Sequence, residues 1–259
     1  MVWPASPATA NCPRTDVARF GALLAVMLVV GGCQSPPQQP LTVFAAASLT
    51  KTFTAISGAF AGATSDTAVE LSFAGSADLL TQLTQGAEAD VLATADTPTM
   101  EKADRAGLLA GPAVPFATNR LAIAVAPGNP KGIKSFRDLS GVAVVVCAAQ
   151  VPCGSALAHL QSQTGVRLRP VSEESSSTDV LNKIVSGQAD AGVVYVSDTR
   201  AAGDKTGAVE FPEADGAVNT YRVAVLKTSR NPEQARRFVA LVTGPAGRQV
   251  LADAGFGAP

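Results

Sequence analysis

Two kinds of hydrophobic pattern alternate along the chain, short apolar runs and longer segments with apolar residues at helical spacing. The short runs, several of them rich in valine, are typical of buried strands. Between them, apolar residues recur every three or four positions, which is the spacing of one helical face. The predicted strands are LTVFAA (41–46), AVELSF (68–73), DVLAT (90–94), LAIAVAP (121–127), VAVVVC (142–147), AGVVYV (191–196) and YRVAVLK (221–227).

Helical patterns follow most of these strands, and several begin at residues that commonly start helices. The predicted helices start at or near Ser48, Ser76, Ser135, Ser155, Thr178 and Asn231, with one more that carries Met100 and Leu108 and final pieces on either side of Gly244 and Pro245. This alternation is the order expected of a parallel sheet that is covered by helices on both faces.

Two sets of alternating elements predict an α/β protein with two lobes, each a mostly parallel sheet flanked by helices. Ligands of such sheets bind beyond the carboxyl ends of the strands, so we expect a ligand cleft between the lobes. No linker rich in Gly or Ser separates the sets, and the chain should leave the first lobe near Arg120 and re-enter it near Tyr221. The predicted bounds are 41–120 plus 225–259 for lobe one and 121–224 for lobe two.

The N-terminal segment has the pattern of a targeting sequence. Arg14 and Arg19 precede an apolar run at 20–30, which is short for a membrane span. The run ends in VGGC (30–33), which resembles the bacterial lipobox and implies cleavage before Cys33 and acylation of that cysteine. A transmembrane anchor is the alternative. The predicted organisation is a lipoprotein signal peptide at 1–32 and a Gln- and Pro-rich tether at 33–40, with the mature protein lipid-anchored outside the cytoplasm.

Cysteine use agrees with an exported protein, and the net charge narrows the possible partners. The formal net charge is −1 and no basic stripe is present, which argues against a nucleic-acid partner. Beyond the signal and Cys33, the remaining cysteines are Cys147 and Cys153. An even pair in an exported domain is most simply a disulfide, and two unpaired buried thiols are the alternative.

Neutral hydrogen-bond donors recur where predicted strands end and helices begin. Ser48 and Ser76 follow strands of the first lobe, while VPCGS (151–155), a helix start at 178–180 and Tyr195 occupy such places in the second. A single serine there is usually no more than an N-cap. Several such sites on facing sheet edges instead indicate a cage for an anion, because helix N-termini present free N–H groups.

Several runs along the chain extend this pattern into a family resemblance. They are TVFAAASL (42–49), SFAGSADL (72–79), ADVLATAD (89–96), VPCG (151–154), ADAGVVYVSD (189–198) and GPAGRQVLADAGF (244–256). Together they resemble the extracytoplasmic molybdate-binding proteins of ABC importers, over the whole chain from about residue 41. The resemblance implies the two-lobed type II periplasmic-binding-protein fold.

The resemblance also implies an oxyanion site and a transport role. Ser48 and Ser76 would contribute hydroxyl and backbone donors, Cys153 and Val180 their backbone amides, and Tyr195 its phenol. Family members often have alanine where this chain has Cys153, but a backbone donor tolerates that change. The implied ligand is molybdate, with tungstate as a second candidate, held without direct ligation of the metal and without a cofactor. The implied partners are the membrane subunits of an ABC permease, and the protein is expected to be a monomer.

The ligand chemistry explains a site made of donors. Molybdate is fully ionised near pH 7, so its four oxygens only accept hydrogen bonds, whereas phosphate still carries a proton and profits from a carboxylate. Asp78 and Asp179 lie beside proposed ligand residues. We expect them to complement helix dipoles, and their entry into the site would favour phosphate instead. Sulfate, thiosulfate or another small anion is the main alternative ligand.

An enzyme is the rival class, and the sequence offers it little support. Neither Ser48 nor Ser76 lies in a G-x-S-x-G elbow, and His159 is the only histidine, within a helical pattern. No Walker loop or metal-ligand spacing is present. A serine hydrolase is therefore a remote alternative, and we expect a binding protein that is not an enzyme.

Overall fold

The computed structural model describes residues 39–63 and 68–259. The predicted signal segment 1–32, Cys33 and the tether up to residue 38 lie outside the described residues. In the described part, ten strands form two sheets. The strands are β1 (Leu41–Ala46), β2 (Val69–Ala74), β3 (Val91–Thr94), β4 (Val114–Asn119), β5 (Leu121–Val125), β6 (Val144–Cys147), β7 (Ser172–Glu174), β8 (Ala191–Tyr195), β9 (Gly207–Val209) and β10 (Asn219–Val225).

Helices connect most of these strands. The α-helices are α1 (Thr50–Ala63), α2 (Ser76–Thr84), α3 (Thr97–Arg105), α4 (Pro152–Thr164), α5 (Ser177–Val185), α6 (Val196–Ala202), α7 (Pro232–Thr243) and α8 (Pro245–Asp253). Short 3-10 helices lie at Ala47–Leu49, Phe136–Gly141, Gly203–Lys205 and Pro212–Gly216. In the described ranges, no helix is long and apolar enough to span a membrane.

Each sheet has five strands, of which four run in one direction. The first has the order β2-β1-β3-β10-β4 and the second the order β7-β6-β8-β5-β9. Only β10 in the first and β5 in the second run against their neighbours. The predicted α/β fold with two mostly parallel sheets is therefore confirmed.

The chain passes between the sheets at two adjacent points. It leaves the first sheet after Asn119, the last residue of β4, and starts β5 two residues later. It returns at Asn219, the first residue of β10, which pairs with Asn119. The predicted boundary at 224 falls inside β10, and the whole of this strand belongs to the first sheet. The pattern YRVAVLK missed the polar start of the strand, where the change of sheet occurs.

Three strands and one helix were absent from the predicted elements. β4, β7 and β9 are all at sheet edges. An edge strand is covered less completely than a central one, so it need not form an apolar run. The sequence of β7 is Ser-Glu-Glu, and β9 has three residues. The region after β8, which has no clear pattern, forms α6.

Alternating residues of the first sheet enter two different cores, and this arrangement orients the helices. In β1, Val43 and Ala45 pack in the cluster that includes Phe53 and Phe238, from α1 and α7. Phe44 points the other way, into a cluster that includes residues of α2 and α3. The sheet is thus covered on both faces, and the helices that follow β1 and β2 begin at the same edge, where the cavity described below lies.

Candidate functional site

A small cavity lies where helices of both lobes begin. Its volume is about 20 Å³, and one water molecule needs about 10–15 Å³ by the same kind of measure. The space therefore has the scale of a small inorganic ion. Its lining is made of Ala46, Ala47, Ser48, Gly75, Ser76, Ala95, Pro152, Cys153, Ser176, Ser177 and Tyr195. Four of the five predicted ligand residues are among them, and Val180 is not.

The first lobe contributes two serines whose hydroxyl oxygens already have protein partners. Ser48 lies in the 3-10 turn after β1, and its Oγ is 2.9 Å from the Tyr221 hydroxyl. Ser76 is the first residue of α2 and is 1% exposed. Its Oγ accepts the Ala95 N–H at 3.0 Å. Since a hydroxyl has a single proton to donate, that of Ser76 remains available for an acceptor in the cavity.

Cys153 brings the start of α4 to the cavity. Pro152 occupies the first position of α4 and has no N–H, so the Cys153 amide is the first N–H that this helix offers. Its sulfur lies 2.05 Å from that of Cys147 at the end of β6. The loop between them is tight, because a Cβ on Gly154 would lie 1.9 Å from the Ala148 carbonyl oxygen. The VPCG sequence therefore places a backbone donor at the site.

The structure corrects the donor assigned to the start of α5. Val180 is fully buried, and its N–H donates to the Ser176 carbonyl oxygen at 3.2 Å inside the helix. Ser176 is the N-cap, and Ser177 is the first residue of the helix. Only the first amides of a helix lack intrahelical acceptors, so the free N–H groups here are those of Ser177 and Thr178, of which Ser177 lines the cavity. The S-x-x-D pattern at 176–179 is a capping signature that would have placed the start there.

Tyr195 supplies a hydroxyl that is buried and unpartnered. Its side chain is 1% exposed, and the hydroxyl has no hydrogen-bond partner among the described residues. Burial raises the pKa of this phenol well above its ordinary value, so the group keeps its proton. The backbone is held in place because the Tyr195 N–H donates to Asp198 Oδ2 at 2.9 Å. A buried hydroxyl without a partner is costly, and an anion in the cavity would relieve that cost.

No acidic or basic side chain is among the described residues that line the cavity. Asp179 accepts hydrogen bonds from the hydroxyls of Ser175 at 3.2 Å and Ser176 at 2.7 Å. Asp78 lies in the first turn of α2 and does not line the cavity either. Across the described ranges, no group of His, Cys, Asp and Glu is arranged to hold a metal ion. The lining side chains that can form hydrogen bonds are therefore neutral hydroxyl groups.

Contacts between the lobes flank this cavity. Asn219 Nδ2 lies within hydrogen-bond distance of two carbonyl oxygens, Ala95 O at 3.2 Å in the first lobe and Pro152 O at 3.3 Å in the second. A Cβ on Gly75 would lie 2.3 Å from the Ser175 carbonyl oxygen. The absence of a side chain at Gly75 therefore makes room for the opposite lobe.

His159 is exposed on α4 and does not line the cavity. The cavity therefore has serine hydroxyls without the histidine that a serine hydrolase would need.

Comparisons with known proteins agree with this geometry. A family model described as bacterial extracellular solute-binding protein matches residues 41–257. The molybdate-binding protein ModA of Mycobacterium tuberculosis is 51% identical over 249 residues, which cover 92% of this chain and 95% of that protein. The protein of the same name from Mycobacterium bovis has the same values.

Solved structures match at lower identity and support the fold. The periplasmic molybdate-binding protein of Azotobacter vinelandii has a TM-score of 0.74 at 23% identity, over 85% of this chain and 99% of that one. The sulfate-binding protein SubI of M. tuberculosis has a TM-score of 0.70 at 22% identity, over 85% and 86%. The prediction of a binding protein and not an enzyme is confirmed by the family match and the curated relatives. The chain belongs to the bacterial extracellular solute-binding protein family.

Proposed function

We propose that this protein is the extracytoplasmic receptor that binds molybdate and delivers it to an ABC permease. The observation that carries the proposal is an ion-sized cavity between the lobes, lined by neutral donors, into which an unpartnered tyrosine hydroxyl is buried. The 51% identity to proteins named molybdate-binding ModA supports the same ligand. Tungstate has the same charge and shape as molybdate and is expected to bind as well.

The energetics favour a fully ionised tetrahedral anion. Burial of a dianion is costly unless each oxygen is hydrogen-bonded. Hydrogen bonds to a charged group contribute about 1.5–3 kcal/mol each, so the donors of Ser48, Ser76, Cys153, Ser177 and Tyr195 can offset that cost. Hydrogen phosphate would bring a proton into a cavity whose lining has no carboxylate to accept it.

Sulfate is the second candidate, because it is also fully ionised and tetrahedral, and the fold is shared with a sulfate-binding protein. It is smaller than molybdate and should make longer contacts with the same donors. Calorimetric titration with molybdate, tungstate, sulfate, thiosulfate and phosphate separates these possibilities. We expect the first two to bind at least about 100-fold more tightly than the others, equivalent to about 2.7 kcal/mol. Sulfate binding of equal or higher affinity would refute the molybdate assignment.

The transport mechanism follows from the position of the site between the lobes. An anion contacting donors of both lobes stabilises the closed form over the open one by its difference in affinity for the two. The permease would then recognise the closed receptor. Small-angle scattering should show a smaller radius of gyration with molybdate than without it, and the monomeric mass can be read from the same measurement.

Membrane attachment is a separate part of the proposal. Acylation of Cys33 would anchor the protein, with residues 34–40 as a tether. Mass spectrometry of the membrane fraction should detect a lipid-modified N-terminal cysteine. Cys33→Ser should release the protein from the membrane, while an unmodified Cys33 in membrane-bound protein would contradict the assignment.

We also propose that Cys147 and Cys153 form a disulfide in the exported protein. The bond would join the end of β6 to the second residue of α4, close to the Cys153 amide donor. Thiol labelling of the denatured protein, with and without prior reduction, tests this. Two labelled cysteines without reduction would show that the thiols are free.

A further inference from the structure

Tyr221 lies behind the cavity rather than in its lining. It belongs to β10 and is 0% exposed. Its ring makes edge-to-face contacts with Phe116, Phe256 and Tyr195, at centroid distances of 6.1, 5.3 and 6.0 Å. Its hydroxyl emerges from this aromatic cluster at 2.9 Å from Ser48 Oγ. The side chain is therefore held by packing, and its polar end meets a proposed ligand residue.

Asn119 places a hydrogen-bond donor beside the Tyr221 hydroxyl. Asn119 Oδ1 accepts the backbone N–H of Arg120 at 3.0 Å. A backbone N–H can only donate, so this contact identifies the amide oxygen and places Nδ2 on the other side. There, Nδ2 donates to Ser197 Oγ at 2.7 Å and lies 3.5 Å from the Tyr221 hydroxyl oxygen. The Tyr221 oxygen therefore faces a donor on that side, which leaves its own proton available for Ser48.

Burial raises the pKa of Tyr221 well above its ordinary value, so the phenol carries its proton throughout the physiological range. Tyr221 can thus act as a permanent donor to Ser48. A serine hydroxyl has one proton and can accept from other donors. When Ser48 accepts from Tyr221, its own proton is free to point to an acceptor in the cavity.

We propose that Tyr221 is a positioning residue that makes Ser48 a donor to the anion and thereby favours fully ionised oxyanions over protonated ones. The proposal rests on the proposed oxyanion-binding function. Ser76 is oriented in the same way by the Ala95 N–H. Without the Tyr221 proton, Ser48 is free to turn and accept a hydrogen bond from a ligand hydroxyl. The selectivity of the site then depends on a residue that does not touch the ligand.

Tyr221→Phe is the direct test, because it removes the hydroxyl and retains the ring. We expect molybdate affinity to fall about 3- to 10-fold, the loss typical of one hydrogen bond. The affinity for hydrogen phosphate should fall less or rise, so that the ratio of the two affinities decreases. The decisive arm repeats the substitution in the Ser48→Ala background, where no further loss of molybdate affinity beyond about 2-fold is expected.

Two further variants separate positioning from a general effect on folding. Phe256→Leu disturbs the same aromatic cluster without removing a polar group, and it should leave the ratio of molybdate to phosphate affinity unchanged. Asn119→Ala removes the donor that orients Tyr221, and its effect on that ratio should also disappear in the Ser48→Ala background. The Asn119→Ala variant keeps the proposal testable if Tyr221→Phe does not fold.

The outcomes distinguish this inference from the proposed function. If the unaltered protein binds none of the oxyanions, the proposed function is wrong. If it binds molybdate but Tyr221→Phe weakens binding equally with and without Ser48, the positioning role is refuted. Unchanged molybdate affinity and unchanged selectivity in Tyr221→Phe would refute it as well.

Discussion

Ser76→Ala should weaken anion binding and also lower the stability of the ligand-free protein, for two separate reasons. Ser76 is buried at the start of α2, and its Oγ has two roles. It accepts the Ala95 N–H at 3.0 Å, and its proton is free for an acceptor in the cavity. The substitution removes both interactions at once while changing the side-chain volume little.

The two effects have different sizes and different assays. Loss of one hydrogen bond to a charged ligand costs about 1.5–3 kcal/mol, which corresponds to roughly 10- to 160-fold weaker binding. The Ala95 N–H left without its acceptor costs about 1–3 kcal/mol of folding stability. For a protein of this size, each kcal/mol lowers Tm by about 2–4 °C. Calorimetric titration with molybdate measures the first effect, and thermal unfolding without ligand measures the second.

Ser57→Ala is a matched control. The Ser57 hydroxyl donates to the Thr54 carbonyl oxygen on α1, away from the cavity. This variant should change neither molybdate affinity nor Tm by more than a small amount. A Ser76→Ala protein with lower Tm but unchanged affinity would show that the serine is structural only, and the assignment of its proton to the ligand would be wrong.

The other predictions concern lobe closure, pH and the cysteine pair. Gly75→Ala should weaken molybdate binding at least about tenfold, because the added Cβ obstructs closure of the lobes. Gly58→Ala, in open space on α1, should leave the affinity unchanged. Scattering should show ligand-induced compaction in the unaltered protein and in Gly58→Ala, and none in Gly75→Ala. Burial raises the pKa of Asp198 from its ordinary value of 3.8 to about 6. The protonated carboxyl therefore stabilises the fold fully below pH 3.8, and this contribution, about 3 kcal/mol, is lost as pH rises through 6. Urea unfolding should show that decrease in the unaltered protein, and Asp198→Asn should abolish it; an unchanged pH profile would contradict this explanation. The double variant Cys147→Ala and Cys153→Ala should lose about 2 kcal/mol of unfolding free energy and bind molybdate severalfold less tightly, whereas equal affinity would show that the pair does not preorganise the site.

Local signals were enough to predict most helix starts around the cavity. Ser76 was expected at the start of a helix and is the first residue of α2. The VPCG loop was expected to lead into a helix at Ser155, and α4 follows the strand as predicted but begins three residues earlier, at Pro152. The helices themselves are predictable because capping residues and apolar periodicity act over one or two turns, within a single stretch of chain.

The differences from the predictions have two physical origins. Val180 was placed one helical turn too deep, because its amide is used inside α5, although the capping pattern at 176–179 is a local signal for the helix start. The re-entry into lobe one begins at Asn219, at a polar strand start that has no apolar signal and that pairs with Asn119, which is distant in sequence. The close neighbour of Gly75, the Ser175 carbonyl oxygen, likewise belongs to the other lobe. No local pattern contains neighbours of that kind.

By itself, the sequence determined the fold class, most of the strands and helices in their order and the concentration of neutral donors at strand ends, because these depend on burial and on local hydrogen bonding. Only the tertiary structure decided how those donors are oriented. Ser48 and Tyr221 are 173 positions apart, and Ser76 and Ala95 are 19 positions apart. A hydroxyl can donate or accept, and the partner on its far side selects between the two. The sheet that brings β1 and β10 together therefore determines what the serine after β1 can bind.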